Sequence, residues 1–412
     1  MNVPDLWSEE FHADPFPVYA RLREEAPIHS AGGPGTWIIT RYDDARAALT
    51  DPRLSKDPRH APGWVRRMEI MTGGEGPTGT NMINNNPPDH TRQRRSVSRA
   101  FTRRRVEALE PRIREITDDL VAKMAVQTEV DLVKAFAVPL PIIVICEMLG
   151  VPAAHRDDLH AWTAALLSPA PGRRGTAERR RARRAMESFM IELIAAARRE
   201  LDRNLPPDQQ PDLLRALILA AEGEGGLSER ELLGMIRLLV VAGHETMAGL
   251  ITTGVLTLLA HPEQAALLRA RPDLMPSAIE ELLRVGGAAD RATLRFATED
   301  VSFPGGTVPA GEVVSVCINA ANRDPERFPR PDAFDVTRTD NPHLSFGHGI
   351  HFCLGAPLAR LQARIAFSAL LRGFPGLALA CPPERLRWHN TGGVRSVRSL
   401  PVRLSPLEES HA

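Results

Sequence analysis

The sequence predicts a mainly α-helical protein with a small β sub-region. Apolar residues recur at helical spacing through most of the stretch from about 90 to 285, and again from about 356 to 372. Strand-like runs are short and are confined to about 30–60, to about 290–320 and to the C-terminal end. No linker divides the 412 residues, so we expect a single domain over residues 1–412.

The first part of the chain alternates between helical and extended patterns. These patterns predict helices at 14–26 and 42–50, with a strand at 36–40 between them. Residues 57–86 are rich in Gly, Pro and Asn, and a loop of this length in a compact protein is usually functional. Six helical patterns follow, and they lie at 91–100, 103–126, 139–149, 155–167, 176–203 and 211–222.

The longest predicted helix begins after Ser228 and ends near Ala260. Ser228 is a good N-cap, and Glu231 three residues later completes a capping box. At about 1.5 Å per residue the helix is about 45 Å long. Its apolar content suits a membrane span, but His244 and Glu245 near its middle would be costly in lipid. We therefore predict a buried helix through a protein core.

The remaining predicted elements are shorter. They are helices at 262–270, 273–285 and 356–371, and strands at 293–297, 301–303 and 313–318. The last helix directly follows a glycine-rich turn that contains Cys353. The cysteine therefore lies at the positive end of a helix dipole.

Composition excludes several classes of protein. The 51 basic and 51 acidic residues cancel, so no nucleic-acid partner is expected. The four cysteines have no paired short spacing, which argues against zinc knuckles and disulfides and fits a reducing cytoplasm. Residues 1–10 lack the basic and apolar segments of a signal peptide. We expect a cytoplasmic protein without a membrane anchor.

The turn before the last helix combines one cysteine with several glycines. Its spaced residues are Phe346, Gly347, Gly349, His351, Cys353 and Gly355. Glycines let backbone N–H groups approach the sulfur, and the helix dipole favours thiolate over thiol. A thiolate held in this way is a metal ligand or a nucleophile. The alternative is an inert buried cysteine, which would leave the match of six spaced residues unexplained.

This Phe-Gly-x-Gly-x-His-x-Cys-x-Gly pattern resembles the haem-binding loop of the cytochromes P-450. The resemblance runs from Asp14-Pro15-Phe16-Pro17 through Asn322-Arg323-Asp324-Pro325 to Leu400-Pro401-Val402. It implies the cytochrome P-450 fold and haem b (iron protoporphyrin IX), with Cys353 as the axial iron ligand. The family reaction inserts one atom of dioxygen into a C–H or C=C bond and releases the other as water.

A second motif lies in the middle of the long helix. Its residues are Ala242, Gly243, His244, Glu245 and Thr246. A helical glycine costs about 1 kcal/mol relative to alanine, so we expect Gly243 to let a planar cofactor come close. Thr246 can bond back to the Ala242 carbonyl and bulge the helix. The motif resembles the family's oxygen-activation site, which implies that Glu245 and Thr246 deliver protons. The alternative is a structural acid and threonine at a helix kink.

The resemblance also implies residues that hold the cofactor. Four basic residues match family positions that pair with the haem propionates, namely His90, Arg94, Arg295 and His351. Three further cofactor-binding residues belong to the cysteine loop, namely Phe346, Gly347 and Gly355. The alternative for each basic residue is a solvated surface position. Glu281 and Arg284 match a pair that locks the haem-loop region, although alone they would be a weak surface ion pair. Ala333 stands where the family often supplies a third, cationic partner.

The substrate is expected to be a bulky hydrophobic small molecule. The small-residue run 286–289 suggests a roomy pocket, and the chain is most similar to secondary-metabolite enzymes that act on macrolides and polyketides. Steroid, terpenoid and peptide hydroxylases are alternatives within the family. The residues expected to line the pocket are Ile83, Asn84, Asn85, Leu239, Val240, Ala288, Ala289, Gly393 and Val394. The arginine run within 173–184 is either a solvated helix face or a site for an anionic or carrier-bound substrate.

Electrons are expected from separate proteins, a ferredoxin and its NAD(P)H-dependent reductase. The reason is that the resemblance accounts for essentially all 412 residues, so no segment remains to bind a flavin or an iron–sulfur cluster. Arginines near the cysteine loop could form a basic patch for an acidic ferredoxin, or could pair internally with Glu107 and Glu110. They are Arg99, Arg103, Arg104, Arg360 and Arg364.

The expected protein is a monomer. Two rival functions are a peroxygenase, which typically lacks the acid–alcohol pair, and a haem-thiolate sensor or carrier without turnover.

Overall fold

Helices account for most of the chain in the computed structural model, which describes residues 6, 8–31, 35–67, 81–167, 172–389 and 393–404. The α-helices are α1 Glu9–Ala13, α2 Phe16–Glu25, α3 Tyr42–Ala48, α4 Gly63–Arg67, α5 Asp89–Ala100, α6 Arg103–Ala108, α7 Glu110–Ala125, α8 Pro139–Met148, α9 Arg156–Leu167, α10 Gly172–Arg199, α11 Leu213–Glu222, α12 Glu229–Ala260, α13 Pro262–Ala270, α14 Met275–Gly286, α15 Ile318–Ala321 and α16 Ala356–Gly373. A π-helix over Val133–Ala137 leads into α8. The mainly helical prediction is confirmed.

The strands form small sheets. They are β1 Ile28–Ser30, β2 Thr36–Ile39, β3 Leu54–Ser55, β4 Glu129–Asp131, β5 Arg295–Ala297, β6 Val301–Phe303, β7 Gly306–Val308, β8 Val313–Val316, β9 Ala378–Leu379 and β10 Pro401–Arg403. One sheet has the order β1-β2-β8-β5-β3, with β2 and β8 parallel; a second has the order β4-β10-β9, and β6 pairs with β7. The first sheet joins the two segments in which the sequence predicts a β sub-region.

Helix α12 is the central element of the core. Its predicted capping box is present, because Ser228 N donates to Glu231 Oε2 at 2.8 Å and Glu231 N donates to Ser228 Oγ at 3.3 Å. The helix packs against α8, α14 and α16. Among the described residues it is the helix long and apolar enough to cross a membrane, but most of that apolar stretch is buried inside the protein. This is the burial expected of a core helix.

The predicted helix 103–126 is two helices in the structure. Helix α6 ends at Ala108, and α7 begins at Glu110 after Leu109, which caps both. Pro111 lies in the first turn of α7 and has no N–H to donate to the preceding turn. The apolar period continues through this break, so periodicity alone does not reveal it.

Candidate active site

The cysteine loop is held by its own backbone. Cys353 N donates to Phe346 O at 2.8 Å, which closes the turn. Gly347 and Gly349 have φ values of +74° and +71°, where a side chain would be strained. Gly355 then caps α16. The glycines therefore place the cysteine sulfur at the N-terminus of a long helix, as predicted.

The electrostatics of Cys353 differ from the prediction. Burial raises the pKa of the Cys353 thiol, and hydrogen bonds from the N–H groups of Gly355 and Ala356 offset only part of that rise. Cys353 nevertheless counts as an exposed residue by its accessible surface. The helix terminus alone therefore does not keep the group ionised. A bound metal ion would, since coordination deprotonates a thiol.

Five basic residues beside the cysteine loop form what we term the basic cluster, namely Lys56, His90, Arg94, Arg295 and His351. The rings of His90 and His351 lie 4.3 Å apart between centroids. Both ring nitrogens of His90 are buried without a hydrogen-bond partner. The four predicted propionate partners are thus brought together, and Lys56 is an addition.

Among the described residues, no carboxylate pairs with the basic cluster. Burial, then Lys56, His90 and the two arginines lower the pKa of His351 to about 2, and burial lowers the pKa of Arg295 to about 10. Within the described parts of the chain, the ion pairs include none between the cluster and a carboxylate. A ligand that carries carboxylates and lies near the Cys353 thiol fits this arrangement. The residues present therefore fit a haem with its propionates.

Lys56 was missed because it directly follows the two-residue strand β3 and belongs to no motif. Its Nζ donates to Thr293 Oγ1 at 2.6 Å and to Leu294 O at 2.7 Å, next to β5. Burial lowers its pKa well below the usual range. The available signal was that the chain has three lysines and otherwise uses arginine.

Two residues of the α12 motif face an open space. Ala242 and Thr246 are exposed, although most of the helix around them is buried. Thr246 Oγ1 donates to Ala242 O at 3.0 Å, as predicted. The predicted bulge is wrong, because α12 is an unbroken α-helix from Glu229 to Ala260.

Gly243 has a different role from the one predicted. A Cβ atom at this position would lie 3.1 Å from Ile145 Cδ1 on α8. The glycine therefore lets α8 pack closely against α12, and its missing side chain does not explain how a cofactor approaches. Helix packing is the reason for the residue.

Glu245 and Thr246 are adjacent but are not hydrogen-bonded to one another. Glu245 Oε1 lies 3.3 Å from His244 Nε2 and 3.9 Å from His160 Nδ1 on α9. Burial raises the pKa of Glu245, but the neighbouring histidines more than offset this and leave it lowered. His244 bonds locally, since its Nδ1 lies 2.8 Å from Val240 O. The acid thus points toward α9.

Glu281 and Arg284 form the centre of a buried network, so the surface-pair alternative is wrong. Both side chains are 0% exposed, and Arg284 makes two 2.8 Å bonds to Glu281. Arg284 Nη2 also donates to the carbonyl of Ala333 at 2.9 Å. The cationic third partner is Arg338, whose Nε donates to Glu281 Oε1 at 3.1 Å. Spacing alone pointed to position 333 and missed it.

The predicted pocket residues separate into two groups. Ala289 pairs with Val394 in an isolated β-bridge, and Asp290 N donates to Gly393 O at 3.0 Å. The structure thus brings 288–289 and 393–394 together from opposite ends of the C-terminal half. Val240 and Ala288 are only 2% and 4% exposed and belong to the core, so burial contradicts the assignment of both side chains to the pocket lining.

The remaining pocket predictions involve partly buried side chains. Asn85 Nδ2 donates to Gln93 Oε1 at 2.9 Å, which anchors it to α5. The others are Ile83 and Asn84 in a 3₁₀-helix, and Leu239 on α12. Part of the predicted loop, residues 68–80, lies outside the described residues.

The predicted basic patch is largely neutralised. Arg103 pairs with Glu107 at 2.6 Å, Arg364 with Glu110 at 2.8 Å, and Arg360 with Glu280 at 2.7 Å. Arg104 lies 3.8 Å from Asp208. The internal-pairing alternative is therefore correct for these four, and Arg99 is exposed on α5. Of the arginine run, Arg180, Arg181 and Arg184 are exposed on α10, and the side chains of 173 and 174 lie outside the described residues.

Comparison with known proteins agrees with this geometry. The sequence model of the cytochrome P-450 family matches residues 163–382. The chain is 46% identical to cytochrome P-450 107B1 of Saccharopolyspora erythraea, over 98% of each protein. It is 42% identical to 6-deoxyerythronolide B hydroxylase of the same organism, covering 98% of this chain and 99% of the relative. A myxobacterial cytochrome P-450 solved with myristic acid superposes with a TM-score of 0.90, at 40% identity and over 98% and 99% of the two chains.

Proposed function

The chain belongs to the cytochrome P-450 family of monooxygenases, and from this premise we propose that it oxidises a bulky hydrophobic secondary metabolite. The substrate class we favour is a macrolide or related polyketide. The name of 6-deoxyerythronolide B hydroxylase supports this choice at 42% identity. The proposal places the protein in the cytoplasm as a monomer that receives electrons from a ferredoxin and its NAD(P)H-dependent reductase.

The observation that carries the proposal is a cysteine at a helix N-terminus beside a basic cluster that pairs with no carboxylate of the described residues. Haem b bound here would supply dioxygen activation at an iron held by the Cys353 thiolate. The basic cluster would bind the propionates through charge-assisted hydrogen bonds and so orient the ring. Ala242 and Thr246 would face the reacting side. Thr246 Oγ1 already has an acceptor at Ala242 O, which positions the hydroxyl to hold and pass on a proton.

Turnover separates this proposal from a haem-thiolate sensor or carrier. The purified holoenzyme is combined with a ferredoxin, its reductase, NADPH and a panel of macrolides and polyketides. We first select ligands that shift the haem Soret band, and then measure NADPH oxidation and look for a product heavier by one oxygen atom. A ligand that shifts the band and is never oxidised under these conditions would favour the sensor. Oxidation supported by hydrogen peroxide alone would favour the peroxygenase.

Thr246→Ala is expected to separate electron use from product formation. Substrate binding should be unchanged, because the variant removes one hydroxyl and leaves α12 intact. A group in proton transfer typically contributes about 10²–10⁴-fold. A water molecule in the space left by the hydroxyl should restore part of the proton transfer. We therefore expect the yield of product per NADPH to fall about tenfold while the yield of hydrogen peroxide rises.

Two variants control this experiment. Thr246→Ser keeps the hydroxyl and should retain coupling. Thr257→Ala removes a threonine with the same backbone bond on the same helix, Oγ1 to Thr253 O at 2.9 Å, and should also behave as wild type. Equal coupling in Thr246→Ala and Thr257→Ala would contradict the proposed role of Thr246.

Arg94→Met is expected to weaken haem binding. Arg94 is half-buried on α5 within the basic cluster, whereas its neighbour Arg95 is exposed. A hydrogen bond to a charged group contributes about 1.5–3 kcal/mol, which corresponds to about a ten- to hundredfold change in dissociation constant. The measurement is a haem titration of the apoprotein. Arg95→Met removes the same charge outside the cluster and should bind haem as wild type does. If both variants weaken haem binding equally, the loss comes from the lower positive charge of the protein surface and not from a broken pair between Arg94 and a propionate.

A further inference from the structure

Three buried polar atoms of α9 and α12 face one another without hydrogen-bond partners. They are His160 Nδ1, His244 Nε2 and Glu245 Oε1. All three lie within 4.8 Å of one another. A buried polar atom that bonds to nothing is costly, and three that converge on one point indicate a missing group.

The positions of the protons show which kind of group is missing. His244 Nδ1 lies 2.8 Å from the carbonyl oxygen of Val240, which can only accept, so the ring proton is on Nδ1. In the neutral ring Nε2 is then a bare lone pair, 3.3 Å from an acidic oxygen of Glu245 that is also an acceptor. His160 Nδ1 lies 3.9 Å from the same oxygen. The atoms that face one another are therefore hydrogen-bond acceptors without a donor between them. A cation bound between them would satisfy their lone pairs.

We propose that His160, His244 and Glu245 bind a divalent transition-metal ion, with zinc as the best match. Two imidazole nitrogens and one carboxylate oxygen are a common zinc ligand set, with a water molecule completing four-coordination. Zinc bonds of about 2.0–2.2 Å place tetrahedral ligand atoms about 3.4 Å apart. The 3.3 Å separation already fits, and the longer ones need side-chain shifts of about 1 Å.

The surroundings of His244 support a metal ligand. A metal-bound histidine usually donates its other ring N–H to a carbonyl or carboxylate, which fixes the tautomer and the ring direction. His244 does so to Val240 O, and its side chain is 0% exposed. The His160 ring lies nearly perpendicular to it, at 70°, with 5.9 Å between the ring centroids. The rings thus approach from two helices.

Such an ion would matter for the enzyme because it would occupy Glu245. This consequence rests on the proposed function, in which Glu245 delivers protons. Metal binding itself does not depend on that function, so a binding measurement tests the site whether or not the enzyme turns over. A failure of the haem-thiolate assignment would instead show in the spectrum of Cys353 variants.

The test is equilibrium dialysis of the holoenzyme against buffered Zn²⁺ after removal of bound metal with a chelator, with zinc counted per chain. We expect one zinc ion per wild-type chain, and at least about a hundredfold weaker binding in His160→Ala and His244→Ala. His160 is partly exposed, so that variant should fold even if the His244 variant does not. The matched control is His155→Ala, which removes a partly exposed histidine just before α9.

The outcomes decide between a metal ion and a proton. One bound zinc that is lost in His160→Ala and kept in His155→Ala supports the site. No bound zinc, or binding that is equal in wild type and His160→Ala, overturns it. The group between the acceptors would then be a proton, carried by a His244 imidazolium that donates to Glu245.

Discussion

Cys353→Ala is expected to abolish the red-shifted Soret band that reduced, carbon monoxide-bound haem shows when a thiolate is its ligand. The loop should survive the substitution, because its closing bond joins the backbone N–H of Cys353 to Phe346 O and its shape depends on Gly347 and Gly349. The loss would therefore report the missing sulfur rather than a collapsed loop. Monooxygenase turnover should disappear with the band, since the thiolate promotes O–O cleavage.

A second cysteine provides the control. Cys381 is partly exposed and lies beyond β9, outside the cysteine loop. Cys381→Ala should keep both the band and turnover. The measurement is the difference spectrum with and without carbon monoxide, on samples with equal haem content. A red-shifted band in Cys353→Ala would exclude this sulfur as the iron ligand.

Arg284→Met is expected to cause the largest loss of stability among the variants considered. The substitution removes the donor of bonds to Glu281, Asn322 O, Pro331 O and Ala333 O, and leaves the Glu281 carboxylate buried. Breaking a buried ion pair by removing one partner typically costs about 3–5 kcal/mol of unfolding free energy. Arg338 can compensate part of this charge, so we expect a loss of about 3 kcal/mol.

Urea unfolding followed by circular dichroism measures this loss. The matched control is Arg271→Met, which breaks an exposed pair with Asp273 and should cost about 0–1 kcal/mol. Arg338→Met should fall between the two, because Glu281 keeps Arg284 and also accepts from Asn341 Nδ2 at 3.0 Å. An Arg284 variant as stable as the Arg271 variant would contradict the structural role of the buried network.

Features encoded by neighbouring residues were predictable from the sequence. The capping box of α12 needs only Ser228 and Glu231, and the structure contains both of its bonds. The turn before α16 likewise depends on glycines within ten residues of Cys353. Short strands were harder to predict, because a three-residue strand such as β4 is stabilised mainly by β10, far along the chain.

Some side-chain roles depend on which segments meet, and local patterns do not contain that information. Lys56 joins the basic cluster because its loop lies against β5, more than two hundred residues later. Gly243 is explained by Ile145 of α8, and Glu245 is directed by His160 of α9. The arginines of the predicted patch are neutralised by acids from the same and other helices.

The helical class, the core helix, the cysteine loop and the family were all accessible from the amino-acid sequence. The helices and the loop follow from periodicity, caps and glycine positions, which act over a few residues, and the family followed from the resemblance of the cysteine-loop motif. The tertiary structure alone decided that Arg338 completes the Glu281 network, that Lys56 joins the basic cluster, and that Val240 is a core residue. The physical reason is that burial and electrostatic pairing depend on distances between elements, and folding sets those distances.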